Sequence, residues 1–168
     1  RAMTIRSLSI GQGEILVTPL QLANSMAVIA NEGYYITPHL NKHDTMLLRR
    51  HESLIDKKHF PIVNEGMWRV FEFGTGRHHK LNDISMCGKT GTVENNHGKD
   101  HSLFVGFAPR ENPVIVVAVA VENAGFGSTW AAPIASLMME QYITGKIERT
   151  TLFEHIANSV TDPNVKKR

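Results

Sequence analysis

The sequence predicts an α+β domain, an antiparallel sheet of three sequential strands flanked by helices. Three observations carry this. The segments that read best as sheet strands follow one another between residues 84 and 121, joined by short polar connections. Two apolar stretches with helical spacing and clear start signals precede them, and one follows. The length of 168 residues, with 42% hydrophobic and 20% charged, describes an ordinary globule able to bury one core.

Taken in order, Ser9-Ile10-Gly11-Gln12-Gly13 is a glycine-punctuated turn. A helix start follows: Thr18 as N-cap, Pro19 at the first helical position and Gln21 closing a capping box. That helix runs to Ala30 with apolar residues on nearly all sides, which suits an interior position, and Gly33 ends it. Tyr34-Tyr35-Ile36-Thr37-Pro38 reads as an extended edge piece halted by proline. Residues 42–58 form a charged surface excursion in which Met46-Leu47-Leu48 and Ser53-Leu54-Ile55 could make a small hairpin. Pro61 opens a second helix, with Val63, Met67, Val70 and Phe71 at helical spacing and Gly74 as its stop. The loop beyond carries His78-His79-Lys80, read as solvated.

Ile84-Ser85-Met86-Cys87 and Thr90-Gly91-Thr92-Val93 suit the first sheet strand, where Gly91 would let a substrate backbone lie close. A polar loop, 94–100, leads to the strand Leu103–Ala108. Arg110-Glu111-Asn112-Pro113 then turns the chain into Val114–Val121, which has no alternation and is expected as a central strand covered on both faces. The loop Asn123–Ser128 precedes a last helix with Thr129 as cap, Pro133 in its first turn, a stripe of Ile134, Leu137, Met138 and Tyr142, and Gly145 as its close. Residues 1–145 read as one unit and 146–168 as a polar, loosely attached tail. The opening Arg1-Ala2-Met3 looks like the middle of structured sequence, so a longer protein is expected.

Composition narrows the function. A net charge of +2, with basic residues spread out, does not imply nucleic acid. One cysteine rules out an internal disulfide. The longest apolar run, Val114–Val121, is too short to cross a bilayer, and no signal-peptide pattern is visible. His97, Asp100 and His101 offer one carboxylate and two imidazoles in a loop, short of a closed metal site. His101 is expected to make a loop-to-strand hydrogen bond instead. Cys87 reads as a small buried hydrophobe, and Trp68 and Trp130 as helix packing.

The densest chemistry lies in Cys87-Gly88-Lys89-Thr90-Gly91-Thr92. Gly88-Lys89-Thr90 could end a phosphate loop, but Gly-x-x-x-x-Gly-Lys-Ser/Thr needs glycine where this chain has Asp83, and no long helix can start after Gly91. The alternative is a strand carrying Lys-Thr-Gly along a cleft wall, where the ammonium and hydroxyls hold a carboxylate and a backbone N–H faces a developing oxyanion.

With its flanks, this stretch resembles the C-terminal half of a penicillin-binding transpeptidase domain, and more closely the class B, elongation-type penicillin-binding protein 2 group. The matching residues are Gly11-Gln12-Gly13, Thr18-Pro19-Leu20-Gln21-Leu22-Ala23, Ala30-Asn31-Glu32-Gly33 and Pro38-His39-Leu40. Beyond these stand Gly88-Lys89-Thr90-Gly91-Thr92 with Glu94-Asn95, then His97-Gly98-Lys99-Asp100-His101-Ser102, Phe107-Ala108-Pro109, Glu122-Asn123 and Ala131-Ala132-Pro133. They run in the expected order over roughly residues 7 to 143. The implied fold is half of a β-lactamase/transpeptidase-like domain.

The family's other motifs, Ser-x-x-Lys and Ser-x-Asn, are absent: no serine here has Lys three residues on or Asn two residues on. The resemblance therefore implies a parent D,D-transpeptidase that cross-links peptidoglycan stem peptides and is acylated by β-lactams, with this piece inert alone. It implies that Lys89 keeps positive charge at the carboxylate end of the cleft, that Thr90 and Thr92 hold the substrate carboxylate, and that the Thr92 N–H completes an oxyanion hole. Gly91 belongs to the same site, and no cofactor is implied. A membrane anchor, an extracytoplasmic location and elongation-machinery partners are implied for the parent. The strand beyond Val114–Val121 would come from the start of the domain, so this chain is expected to self-associate through that edge or to expose a sticky surface there. A serine β-lactamase-type hydrolase fragment and a non-catalytic carboxylate-binding module share the Lys-Thr-Gly strand and stay open on the residues alone.

Overall fold

The structure is a computed structural model that describes residues 2–41 and 48–159. Its centre is an antiparallel sheet in the order β3-β4-β5, built from Cys87–Val93 (β3), His101–Ala108 (β4) and Ile115–Val121 (β5). The α+β class and the three sequential strands are as the sequence predicts. Helices α1 (Ala2–Ser9), α2 (Pro19–Ala30) and α3 (Phe60–Glu72) precede the sheet; α4 (Ala131–Thr144) and α5 (Thr150–Asn158) follow it. Among the described residues, no helix is long and apolar enough to cross a membrane.

The register pairs Gly88 with Gly106, Thr90 with Phe104 and Thr92 with Ser102. Strand alternation sends these residues to one face of the sheet and Lys89, Gly91, Val105 and Phe107 to the other. On the first face Phe104 packs with Phe71 of α3 and with Ala131, Ala132, Ala135 and Met139 of α4. A Cβ at Gly88 or Gly106 would come within 2.8 Å of the Phe104 ring or closer, so this facing pair of glycines makes the space the phenyl fills. On the second face Met26 and Ala30 of α2 pack with Met67, Cys87 and Phe107.

The capping box at Thr18 forms as expected: the Gln21 N–H donates to Thr18 Oγ1 and the Thr18 N–H to Gln21 Oε1. The helix it starts is less interior than its composition suggests. Only Met26 and Ala30 are buried, and Leu20 is exposed, because α2 lays one side on the sheet and its other side meets little. Tyr34–Ile36 (β1) pairs with Arg50–Glu52 (β2), in place of the hairpin expected between Met46-Leu47-Leu48 and Ser53-Leu54-Ile55. Met46 and Leu47 lie outside the described residues, and 53–55 are past the strand. Cross-strand contacts select this pairing: Tyr35 stacks on His51, and the Arg50 guanidinium lies 3.6 Å from the Tyr34 ring centroid.

Two further expectations change. Ile115–Val121, expected to be covered on both faces, is half-buried for most of its length; among the described residues it pairs with β4 alone, which leaves open the far edge that the resemblance implies. The stretch 146–168 is not simply a loose tail, since it contains α5, which packs on α4. The attachment includes an ion pair on the buried Glu140, with the half-buried Arg149 Nε 3.0 Å from Glu140 Oε2 and the Glu148 N–H donating to Glu140 Oε1. Leu152, Phe153 and Ile156 give α5 an apolar side at helical spacing, and Phe153 and Ile156 face Leu137, Met138 and Tyr142 of α4 across a shared cleft.

Candidate functional site

The Lys-Thr-Gly stretch lies in β3 itself, on the outer strand of the sheet. Successive residues of a strand alternate in which edge their backbone groups face. Gln12 Nε2 donates to the Thr92 carbonyl (3.0 Å) and Lys89 Nζ to the Thr90 carbonyl (2.8 Å). The N–H and C=O groups of Thr90 and Thr92 therefore point away from β4, toward an edge that no strand among the described residues pairs. At its other end β3 is closed: Cys87 is fully buried, and its thiol donates to the Asn64 carbonyl of α3. Burial pushes that thiol up to about 12, which makes it a packing group and not a nucleophile.

The four site residues divide by face. Lys89 is exposed, and among the described residues its ammonium pairs with no carboxylate. Thr90 and Thr92 are half-buried on the opposite face. Thr90 Oγ1 is 2.8 Å from Thr75 Oγ1 in the loop after α3. Thr92 Oγ1 accepts from the Gly127 N–H at 3.4 Å. The loop after β5 crosses the strand closely: a Cβ on Gly127 would fall 2.3 Å from the Gly91 oxygen. Gly127 thus lies flat across β3 and β4, where any side chain would strike the main chain.

The segment carrying Gly127 is held from beneath by Ser102, a residue that sequence reasoning used only as part of a motif. Its hydroxyl is fully buried, donates to the Phe126 carbonyl (2.9 Å) and accepts from the Ala131 N–H (3.0 Å). Helix α4 has Trp130 at its N-cap without a side-chain cap bond, where Thr129 was expected, so a hydroxyl on the sheet supplies what a local cap would. The loop between β3 and β4 is tied to the loop after β5: Asn95 Nδ2 donates to Asn123 Oδ1 (2.6 Å), and the Gly125 N–H to the Asp100 carbonyl (2.7 Å). His101 makes the loop-to-strand bond expected of it, its Nδ1 accepting from the Asn123 N–H (3.0 Å).

His79 departs from the solvated reading. Its Nε2–H donates to the Ser128 carbonyl (2.9 Å), and its own carbonyl accepts from Ser136 Oγ and from Arg149 Nη1. Burial lowers its imidazole below the ordinary histidine value, against the opposing pull of the Ser128 bond. Of the tryptophans, Trp68 packs under the Arg110 guanidinium and Trp130 stacks on His155.

Gln12 is the residue that sequence reasoning quoted without a role. Hydrophobic periodicity carries no sign of a contact that spans 80 residues. The signal lay in the two glycines flanking it, whose φ angles of 78° and 106° only glycine adopts readily. A cavity of about 640 Å³ opens beside it, bordered by Ile15, Leu16, Val93, Glu94 and His101.

Comparison with known proteins places these features in a wider set. Residues 2–140 match the family model described as the penicillin binding protein transpeptidase domain. The chain is 33% identical to the peptidoglycan D,D-transpeptidase MrdA of Haemophilus influenzae, across 84% of this chain and 26% of that protein. It is 34% identical to MrdA of Acinetobacter baumannii, across 82% and 24%. Among solved structures, Pseudomonas aeruginosa PBP2 in complex with WCK 5153 superposes with a TM-score of 0.69 at 37% identity, over 85% of this chain and 34% of that one. The complex of PBP2 and MreC from Helicobacter pylori superposes with a TM-score of 0.76 at 26% identity, over 86% and 28%. The chain thus spans about a quarter of the length of the curated relatives it matches.

Proposed function

Because the chain belongs to the penicillin-binding protein transpeptidase family, we propose that it is the C-terminal portion of the transpeptidase domain of a class B, elongation-type peptidoglycan D,D-transpeptidase. In the longer protein, a serine on polypeptide outside this chain attacks the penultimate D-Ala carbonyl of a stem peptide. The tetrahedral oxyanion collapses, the C–N bond to the terminal D-Ala breaks, and that amine leaves with a proton. The acyl-enzyme then passes to an amine of a neighbouring stem, which restores the serine. β-Lactams acylate the same serine.

In this reading the Lys89 ammonium sets positive charge at the carboxylate end of the cleft. The hydroxyls of Thr90 and Thr92 hydrogen-bond the carboxylate, Gly91 lets the substrate backbone lie close, and the Thr92 N–H donates to the oxyanion. One observation carries it: Lys89-Thr90-Gly91-Thr92 occupies an outer strand whose Thr90 and Thr92 backbone groups face an unpaired edge, beside an ammonium with no carboxylate partner among the described residues.

The separate chain is inert on this account, because neither a Ser-x-x-Lys nor a Ser-x-Asn sequence occurs in it. It self-associates through the outer edge of β5. The longer protein is anchored in the cytoplasmic membrane with this domain on the extracytoplasmic side, and works with elongation-machinery proteins, as the MreC complex of the Helicobacter pylori relative suggests.

Labelling with a fluorescent penicillin tests the reading. The longer protein should label covalently and release the label slowly, whereas the chain alone should not label. Rapid turnover would indicate a hydrolase instead. No labelling of the longer protein would leave only a carboxylate-binding module.

A further inference from the structure

We infer that Arg149, which lies beyond the residues the family model matches, is a positioning residue: through His79 it holds the loop between β5 and α4 against β3, and so directs the Thr92 hydroxyl at the substrate carboxylate. The inference deepens the transpeptidase reading and rests on it.

The line of contacts starts at a buried carboxylate. Glu140 of α4 is 4% exposed, and both its oxygens are engaged, Oε1 by the Glu148 N–H (3.1 Å) and Oε2 by Arg149 Nε (3.0 Å). A guanidinium is a planar fork whose nitrogens point in fixed directions. With Nε committed to Glu140, Nη1 is carried to the His79 carbonyl, 3.1 Å away. That carbonyl also accepts from the buried Ser136 hydroxyl of α4, so both its lone pairs are used. Two donors on one oxygen fix the main chain at His79. The ring is aimed from there, and its Nε2–H donates to the Ser128 carbonyl (2.9 Å).

The loop is thereby tied on either side of Gly127, at the Phe126 carbonyl by Ser102 and at the Ser128 carbonyl by His79. Between the ties, the Gly127 N–H meets Thr92 Oγ1 at 3.4 Å, a long bond whose direction depends on both of them. A threonine hydroxyl has one proton to give and two lone pairs. With one lone pair facing the Gly127 N–H, the proton is turned away from the loop and is free for an acceptor in the cleft. Slackening the His79 tie lets the loop lift and the hydroxyl rotate.

The test is the second-order rate of acylation by a fluorescent penicillin, in the longer protein, with thermal unfolding measured alongside. Arg149→Ala and His79→Ala should each slow acylation about fivefold, and the double variant should be no slower than the slower single, because both break one line. His79→Gln, whose amide can donate to the Ser128 carbonyl, should recover to within about twofold of wild type. His79→Ala leaves the Arg149–Glu140 pair in place, so it carries the test if Arg149→Ala unfolds. For the penicillin methyl ester, which presents no carboxylate to Thr92, the losses should shrink below about twofold, whereas a general loosening of the fold would slow both ligands alike. Wild-type rates in Arg149→Ala and His79→Ala, while Lys89→Ala abolishes labelling, would overturn this inference and leave the transpeptidase reading standing. Losses that multiply in the double variant, or that are equal for penicillin and its ester, would overturn it too. Full labelling of Lys89→Ala would instead remove the reading on which it rests.

Discussion

The two outer edges of the sheet are built from opposite materials. Along β3, Lys89 and Gln12 engage the outward carbonyls, and the exposed side chains are polar. Along β5 the sequence is Ile115-Val116-Val117-Ala118-Val119-Ala120-Val121, and among the described residues no strand pairs its far side. An apolar cleft of about 460 Å³ opens near the start of β5, lined by Ile115, Leu137, Met138, Tyr142, Phe153 and Ile156. A bare apolar edge is suited to more protein, whereas an edge already met by polar side chains is not. On the function proposed above, the difference would separate a site from a seam within one three-stranded sheet.

The largest way to break this contrast is at Lys89. In the longer protein Lys89→Ala should lower the rate of acylation by penicillin about 100-fold or more, since it removes charge stabilisation from the site; full retention would take Lys89 out of the mechanism. Next is the strand both edges share. Phe104 is 1% exposed and fills the space over Gly88 and Gly106. Phe104→Ala should therefore destabilise the fold by about 3–5 kcal/mol in denaturant titration, loosening both edges together. A loss confined to acylation would show that the ring acts only on the β3 side.

The β5 edge is probed by Ala120→Lys, which puts a charge at an exposed position of the strand. It should shift the separate chain from oligomer toward monomer in light scattering, with little effect on acylation in the longer protein. A wild-type chain that is already monomeric, with slow amide exchange along β5, would contradict the seam. The smallest effect concerns His79, whose ring holds the Ser128 carbonyl next to the Gly127 segment over β3. Burial favours its neutral form in the fold, so the unfolded chain binds the extra proton more readily. This contribution is fully present above the ordinary histidine value of about 6.5 and is lost as pH falls through it and on toward the lowered folded value. Melting temperature should decline between about pH 7 and pH 5, and His79→Gln should flatten that decline. An unchanged slope would remove His79 as its source.

Much of this was legible in the sequence for identifiable reasons. The capping box at Thr18, the strands around Lys89, Phe104 and Val117, and the Lys-Thr-Gly stretch all announce themselves through local chemistry or short-period spacing. The elements that escaped depend on distant partners. Ser102 caps α4 from across the sheet, Gln12 reaches over 80 residues to Thr92, and α5 is held through Glu140 and Arg149. Val114–Val121 reads as covered on both faces, yet Ile115–Val121 is half-buried for most of its length; its open far edge among the described residues is what the resemblance implies. Composition states what a segment can tolerate; only packing states what meets it.

The central claim is that β3 holds a carboxylate at its outer edge through Thr90 and Thr92 and an oxyanion at the Thr92 N–H. A crystal structure of the longer protein acylated by a penicillin measures this directly. The ligand carboxylate should lie within about 3 Å of the Thr90 or Thr92 hydroxyl, and the acyl oxygen within about 3 Å of the Thr92 nitrogen. A ligand whose carboxylate points into solvent, with its acyl oxygen bonded elsewhere, would contradict the claim.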